Sequence, residues 1–433
     1  MRKLATASLI AALGLAAPVF AQLEITITSG VTDPIPIAVV PFERAVPADG
    51  GIDVAAIIQR DLESSGRFKA MARTDMLSRP TTASAIDVLA WKQQRNDYVV
   101  VGRLTAGASG SVTVEADLVN VLTGQPLPLG KKWTAGPGKL RNAAHKAADA
   151  VFEAIIGVRG AFATQIAYVS VDGQPPNQRY QLIVADADGE GPTVILERNR
   201  PIMSPAWSPD GAMLAYVSFE SKSSAVYVQN VRTGQRSRVS ARAGINGAPT
   251  WSPDGKKLAL TLSGSGGNLD VYLLDLASQQ LRRLTDDPGI DTEASFSPDG
   301  STIYFTSDRS GNPQIYRLTL NSSDRPKRVT FTGAYNARPR VSPDGKQLAV
   351  LTLEDGGYRI GVQDLGNGTL QVLTKGRQDE SPSFAPNGAM VILAGRQGGR
   401  GVLQTVSIDG QTSLRLNADA GEVREPVWGP YLP

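Results

Sequence analysis

A single histidine, His145, and the absence of cysteine limit the chemistry open to this 433-residue chain. Without thiols there is no disulfide, no thiolate nucleophile and no zinc–thiolate site. One imidazole and no G-x-S-x-G segment leave no way to assemble a Ser–His–Asp arrangement on a nucleophile elbow. His145 stands beside the stripe Ala144, Ala147, Ala148, Val151 and Ile155, which has helical spacing, so its expected role is structural. Carboxylates are more plentiful. Asp186-Ala-Asp188-Gly189-Glu190 resembles the start of a calcium loop but lacks the third acidic position and the distal Glu; a turn built on Asp188 and Gly189 is expected instead. Asp291, Glu293, Asp379, Glu380 and Glu425 offer oxygen ligands that suit only a hard cation such as calcium. These five acquire meaning through the repeat that places them.

That repeat is W/F-S-P-D-G. It occurs at Trp207–Gly211, Trp251–Gly255, Phe296–Gly300 and, with Val in front, Val341–Gly345. Phe384–Gly388 reads FAPNG, and Trp428–Leu432 is a decayed last copy. The prolines at 209, 253, 298, 343, 386 and 430 are 43 to 45 residues apart. A fixed period of this length marks a repeat architecture. Within each unit a strand ends at the aromatic residue, and Pro, Asp and Gly make a turn. An apolar strand such as Leu258–Leu262 follows, then two more, giving four strands per unit and a propeller blade. Before the first copy, Ile166–Val171, Tyr180–Ala185 and Thr193–Leu196 are three strands without an inner one, while Arg424–Leu432 is an inner strand without a blade. Joined, they complete a sixth blade, so the expected fold is a six-bladed β-propeller closed by the C-terminal strand. Aligned on the residue before each inner strand, the repeats yield three rings: Ser204, Ala248, Glu293, Arg338, Ser381 and Glu425; Met203, Gly247, Thr292, Ala337, Glu380 and Arg424; Ile202, Asn246, Asp291, Asn336, Asp379 and Val423. All three are expected to line one mouth of the central channel, where the mix of acid, base and small residues suits recognition of a specific shape, with a solvated channel lining without a partner as the alternative.

The N-terminal part has another texture, so the chain is multidomain. Met1–Ala21, with Arg2 and Lys3 ahead of an apolar stretch and small Val19 and Ala21 before the cut, reads as a secretory signal peptide. Without Arg2 and Lys3 the 44 basic residues become 42 against 41 acidic, a net charge near +1 that argues against nucleic-acid binding. The exported chain is expected to be soluble, monomeric and not inserted in a membrane. Residues 22–33 alternate Leu23, Ile25 and Ile27 with Glu24, Thr26 and Thr28, then break at Ser29–Gly30. By pattern this is the first strand of the next domain or a tethered strand for a partner's sheet edge. Residues 34–160 read as an α/β domain: an apolar strand over Ile35–Phe42, helices over Asp53–Ser64, Ala85–Gln93 and Leu140–Ile156, and strands over Phe68–Ala72, Tyr98–Leu104, Val112–Leu122 and Leu127–Trp133. No nucleotide fingerprint is present. Residues 161–433 form the propeller.

Several stretches go beyond the general repeat: IAVVPF at Ile37–Phe42, VVVG at Val99–Gly102, GAFATQIAY at Gly160–Tyr168, MSPAWSPDG at Met203–Gly211, LAYVSFE at Leu214–Glu220, NGAP at Asn246–Pro249 and FTSD at Phe305–Asp308. With the signal peptide and the order of domains, they make the mature chain resemble the TolB family, the periplasmic component of Tol–Pal systems. The resemblance implies a protein without enzymatic activity or cofactor that supports outer-membrane integrity and constriction at division. It implies that the lipoprotein Pal binds at the propeller mouth through Met203, Ser204, Asn246, Ala248, Thr292 and Glu293, joined by the ring residues Arg338, Glu380 and Glu425. It also implies that the C-terminal domain of TolA binds residues 22–33, including Gln22, Leu23, Glu24, Ile25, Ile27, Ser29 and Asp33. Ile245 departs from the family's histidine before NGAP, so a hydrogen bond to Pal there is missing or replaced by an apolar contact. Two other classes stay open: a propeller hydrolase or lactonase using calcium in the channel, and a glycan-binding propeller using tryptophan.

Overall fold

The computed structural model describes residues 25–27, 34–45, 51–130, 132–264, 266–418 and 421–432. The α/β domain is built on Ile35–Val39, which pairs in parallel with Phe68–Ala70 on one side and Tyr98–Ala106 on the other. Val112–Asn120 continues the sheet antiparallel. Buried on both faces, the central strands read as apolar runs: Ile37, Ala38, Val39 and Val40, and Val99, Val100 and Val101, are fully buried. One face is covered by helix α1 (Val54–Ser64), capped by Asp53, and by helix α3 (Leu140–Ile156), which ends at Gly157 with φ 82°. The other carries the short helix α2 (Val88–Gln93), capped by Asp87 and starting three residues later than the apolar pattern suggests. The expected strand over Leu127–Trp133 is two pieces, Gln125–Leu127 and Trp133–Ala135, because Pro128 and Gly130 interrupt the ladder.

The rest is a six-bladed β-propeller of antiparallel sheets. Blade one takes Gln165–Asp172, Arg179–Asp186 and Thr193–Arg198 from the start of the propeller and its inner strand, Glu422–Trp428, from the end of the chain. The C-terminal strand therefore closes the ring. The four Ser-Pro-Asp-Gly turns share one mechanism, whereas Phe384–Gly388 keeps only the bond from Ala389 N–H to Asn387 Oδ1 (3.0 Å). In the first copy Ser208 donates its hydroxyl to Asp210 (2.5 Å), Asp210 accepts from Ala212 N–H (3.0 Å) and Ser208 Oγ accepts from Met213 N–H (2.9 Å). Each turn glycine then lies against the proline of the preceding blade, and Gly211 lies against Pro430 and Leu432 of the terminal copy. The turn end of the propeller carries the α/β domain: Asn387 of blade six donates to Arg159 O (3.2 Å), and Gly66 abuts Thr412. The opposite end, where the inner strands begin, is free of that domain among the described residues.

Candidate functional site

The first ring is one unit. Ser204, Ala248, Glu293, Arg338, Ser381 and Glu425 all have positive φ, between 43° and 56°, and all line a single cavity on the propeller axis. Each sits at a break in register between the inner strand and its neighbour, for example between Thr292 and Ser295. Left-handed backbone at a side-chain-bearing residue costs roughly 1–3 kcal/mol, so the surrounding packing must enforce it. In five blades the next residue is proline (205, 249, 339, 382 and 426), which has no N–H to offer the ladder and belongs at a bulge. The bulge turns the ring side chains into the channel.

These side chains are wired together. Arg338 Nε lies 3.0 Å from Glu293 Oε1, and Arg338 also donates to Ser381 Oγ. Thr306 Oγ1 donates to Glu293 Oε2 (3.2 Å) and accepts from Arg338 N–H (3.0 Å). Glu425 accepts from Ser204 N–H across the blade boundary. Burial opposes the charge of Arg338, but Glu293, Glu425 and Glu380 outweigh it and raise its pKa. Glu425 is pushed up by burial, which Arg338 and Ser204 N–H only partly offset. Arg340, one step deeper on the same cavity, is pushed below the usual guanidinium value by burial. The repeat places it two positions beyond the ring, where Arg340 is the charged residue among Ala206, Thr250, Ser295, Ser383 and Val427.

The second ring does not line the cavity: Met203 and Arg424 are exposed, Glu380 is half-buried, Ala337 is buried and Thr292 shares a hydrogen bond with Thr261 Oγ1 (3.1 Å). The third does not line the mouth. Ile202, Asn246, Asp291, Asn336, Asp379 and Val423 are all buried. Asn246 accepts from Ser240 Oγ (2.7 Å) and Arg242 N–H (2.9 Å) and donates to Arg242 O (2.7 Å), so its amide is used up holding the loop into blade three. Asp291 is held by Arg309 Nη2 at 2.7 and 2.9 Å. Consequently the five carboxylates considered for a cation do not converge: Glu293 and Glu425 line the cavity, already engaged, and Asp291 and Asp379 lie elsewhere. The tryptophans are also occupied. Trp91, Trp133 and Trp207 are buried, and the half-buried Trp251 and Trp428 donate to Ala206 O (3.1 Å) and Thr164 Oγ1 (2.8 Å). The mouth instead exposes Ile245, Ile290 and Phe331 in loops, and Tyr358 at the start of the strand Gly357–Asp364, on the ring's side of blades three to five, with Ile245 50% and Phe331 74% accessible.

His145 has the structural role expected, at the joint between the domains. It is 1% exposed; Nδ1 lies 2.7 Å from Asp61 Oδ2 of α1, and Nε2 lies 3.8 Å from Asp186 Oδ2 of blade one. Arg141 bridges Asp186 (3.2 Å) and Asp188 (2.7 Å). Among the described residues, Asp61, His145 and Asp188 are the group whose donor atoms converge enough for a metal, but Arg141 already supplies positive charge there. Burial alone would lower the His145 pKa; Asp61, Asp188 and Asp186 overcome it and raise it to about 9. The folded protein thus holds this proton more tightly than the unfolded chain, whose value is 6.5. The resulting stability is complete below pH 6.5 and is lost as pH rises through about 9. We expect urea unfolding to show a loss of roughly 3 kcal/mol between those limits, and His145→Gln to remove that pH dependence. An unchanged pH profile in the variant would exclude His145 as its source.

Two family models match the chain: "TolB amino-terminal domain" over residues 23–127 and "TolB beta propeller domain" over residues 152–432. The chain belongs to the TolB family. The Tol-Pal system protein TolB of Alcanivorax borkumensis is 53% identical over 413 residues, covering 95% of this chain and 94% of that one. Its counterpart in Methylococcus capsulatus is 52% identical over 417 residues, 96% of each chain. The crystal structure of TolB from Acinetobacter baumannii superposes with a TM-score of 0.86 at 40% identity, over 95% of this chain and all of that one. Of the N-terminal segment that TolB resemblance singles out, Ile25–Ile27 is an added strand at the outer edge of blade six, antiparallel to Thr412–Arg415, with Ile25 opposite Leu414 and Ile27 opposite Thr412. Gln22, Leu23, Glu24, Ser29 and Asp33, and the signal peptide, lie outside the described residues.

Proposed function

We propose that this chain is a non-enzymatic, monomeric interaction hub in the periplasm, binding Pal at the propeller mouth and the C-terminal domain of TolA through residues 22–33. In this role it maintains outer-membrane integrity and supports constriction at division. The observation that carries the reading is the mouth itself: a strained ring of six side chains of four kinds, bordered by exposed Ile245, Ile290, Phe331 and Tyr358. Apolar area around fixed charge is the composition of a protein-docking patch. Membership of a Tol–Pal family supports partners from within that system. Ile245, exposed beside Asn246, favours an apolar contact at the place of the family histidine. A calcium ion in the channel would have to compete with Arg338 for Glu293.

Glu293→Ala tests the site. A buried charge-assisted hydrogen bond is worth about 1.5–3 kcal/mol, so Pal affinity should fall roughly tenfold or more, with the Tm moving only a few degrees. Calorimetric titration of the soluble domain of Pal that returns the parent affinity would remove the mouth as the Pal site.

A further inference from the structure

Arg340 is the charge in the channel that the protein leaves least compensated. Its Nη1 donates to Pro339 O at 2.9 Å, a contact with its own chain neighbour that neutralises no charge. Among the described residues it makes no ion pair, and the two carboxylates sharing its cavity are engaged elsewhere: Glu293 by Arg338 and Thr306, Glu425 by Ser204 N–H. Arg338, two residues away, has its pKa raised by these acids, whereas burial lowers that of Arg340. A guanidinium remains protonated whatever its surroundings, so the cost of removing it from water persists until an anion reaches it.

We propose that Arg340, with Arg338 above it, forms a carboxylate-binding subsite at the floor of the propeller mouth. The inference rests on the mouth being the Pal surface and names what that surface takes: a carboxylate of the docking partner, from an acidic side chain or its C-terminus. The planar fork of Arg340 matches a carboxylate with two parallel N–H···O bonds, and the channel wall holds it in place. A backbone carbonyl would fill the hydrogen bonds but leave the charge unpaired. A cationic side chain would be repelled by both Arg338 and Arg340, which line the same cavity. The position is also selective. With Ala, Thr, Ser, Ser and Val at the equivalent places, one blade alone reads the acid, which fixes the rotational setting of the partner on a nearly sixfold ring.

The test is titration calorimetry of the soluble Pal domain into the mature chain carrying Arg340→Gln or Arg340→Lys, at low and high salt, with Glu293→Ala alongside. Arg340→Gln should bind roughly ten- to a hundredfold more weakly and lose part of the salt dependence. Arg340→Lys, which keeps the charge but not the fork, should fall between. The Tm of Arg340→Gln should be unchanged or higher, since an under-compensated charge has gone; a lower Tm with parallel loss of binding in both variants would make Arg340 a structural residue and overturn the subsite. Repeating the titration with a C-terminally extended Pal domain separates the sources: the Arg340 effect persists for an acidic side chain and disappears for the terminal carboxylate. Parent-like or tighter binding by Arg340→Gln, with Glu293→Ala still weakened, refutes the subsite and leaves the mouth in place. Parent-like binding by both variants refutes the mouth as well.

Discussion

Deletion of residues 424–433 is expected to leave a propeller that cannot close. Blade one would lose most of its inner strand, and Gln165–Asp172, now paired with Glu422–Trp428, would become an open edge at the channel. More than the ladder goes. Trp428 Nε1 gives up its bond to Thr164 Oγ1 (2.8 Å), Tyr431 leaves the guanidinium of Arg159 (4.0 Å from its ring centre), and Leu432 no longer covers Gly211. Ser204 N–H loses Glu425, which opens the ring of bulges between blades one and two. Each contact is worth about 1 kcal/mol or more, but the larger loss is the apolar surface of two blades left without a neighbour, in a fold with only 5–15 kcal/mol or so of net stability. The truncated chain should aggregate on size-exclusion chromatography and lose its cooperative thermal transition, while the α/β domain keeps its helical dichroism. A soluble truncation with the parent melting temperature would show that the C-terminal strand is dispensable for closure.

The second large effect concerns the other end of the chain. Deleting residues 22–33 should abolish binding of the TolA C-terminal domain and spare Pal. Ile25–Ile27 adds only a short ladder to the outer edge of blade six, so its loss should cost the propeller little. A strand docked at a sheet edge is available to another sheet only when it leaves or offers its second edge. The proposed partners are therefore coupled through the docked and free forms, and such coupling is reciprocal, typically 1–3 kcal/mol or about five- to 150-fold. Titrating TolA with and without saturating Pal measures it. Equal affinities would remove the switch, and TolA binding that survives the deletion would remove the segment as its site.

Much of the architecture was readable because a propeller repeats its instructions. The Ser–Pro–Asp–Gly turn needs a hydroxyl, a fixed φ, a carboxylate and a positive φ in that order, and few other sequences provide them. The period followed, and with it the six sheets and the ring containing Ser204, Glu293 and Arg338. The same periodicity misled one step further out. Asn246 and Asp291 align with the mouth as well as Ala248 and Glu293 do, yet they point beneath the loops, because the bulge between them reverses which side faces the channel. Strand alternation predicts faces only while register is kept.

By itself, then, the amino-acid order determined the turns and most strands, since each depends on residues near one another in the chain, and the repeat count showed which blade lacked the inner strand that the C-terminus supplies. Tertiary structure alone decided what joins distant segments. It set His145 between Asp61 and Asp186, gave Arg338 to Glu293 rather than to Glu425, left Arg340 without an ion pair among the described residues, and brought Ile25–Ile27 to Thr412–Leu414. Those outcomes depend on which charges and edges meet once six blades close around an axis, and on how far burial strengthens an unpaired charge; neither is encoded in any local pattern.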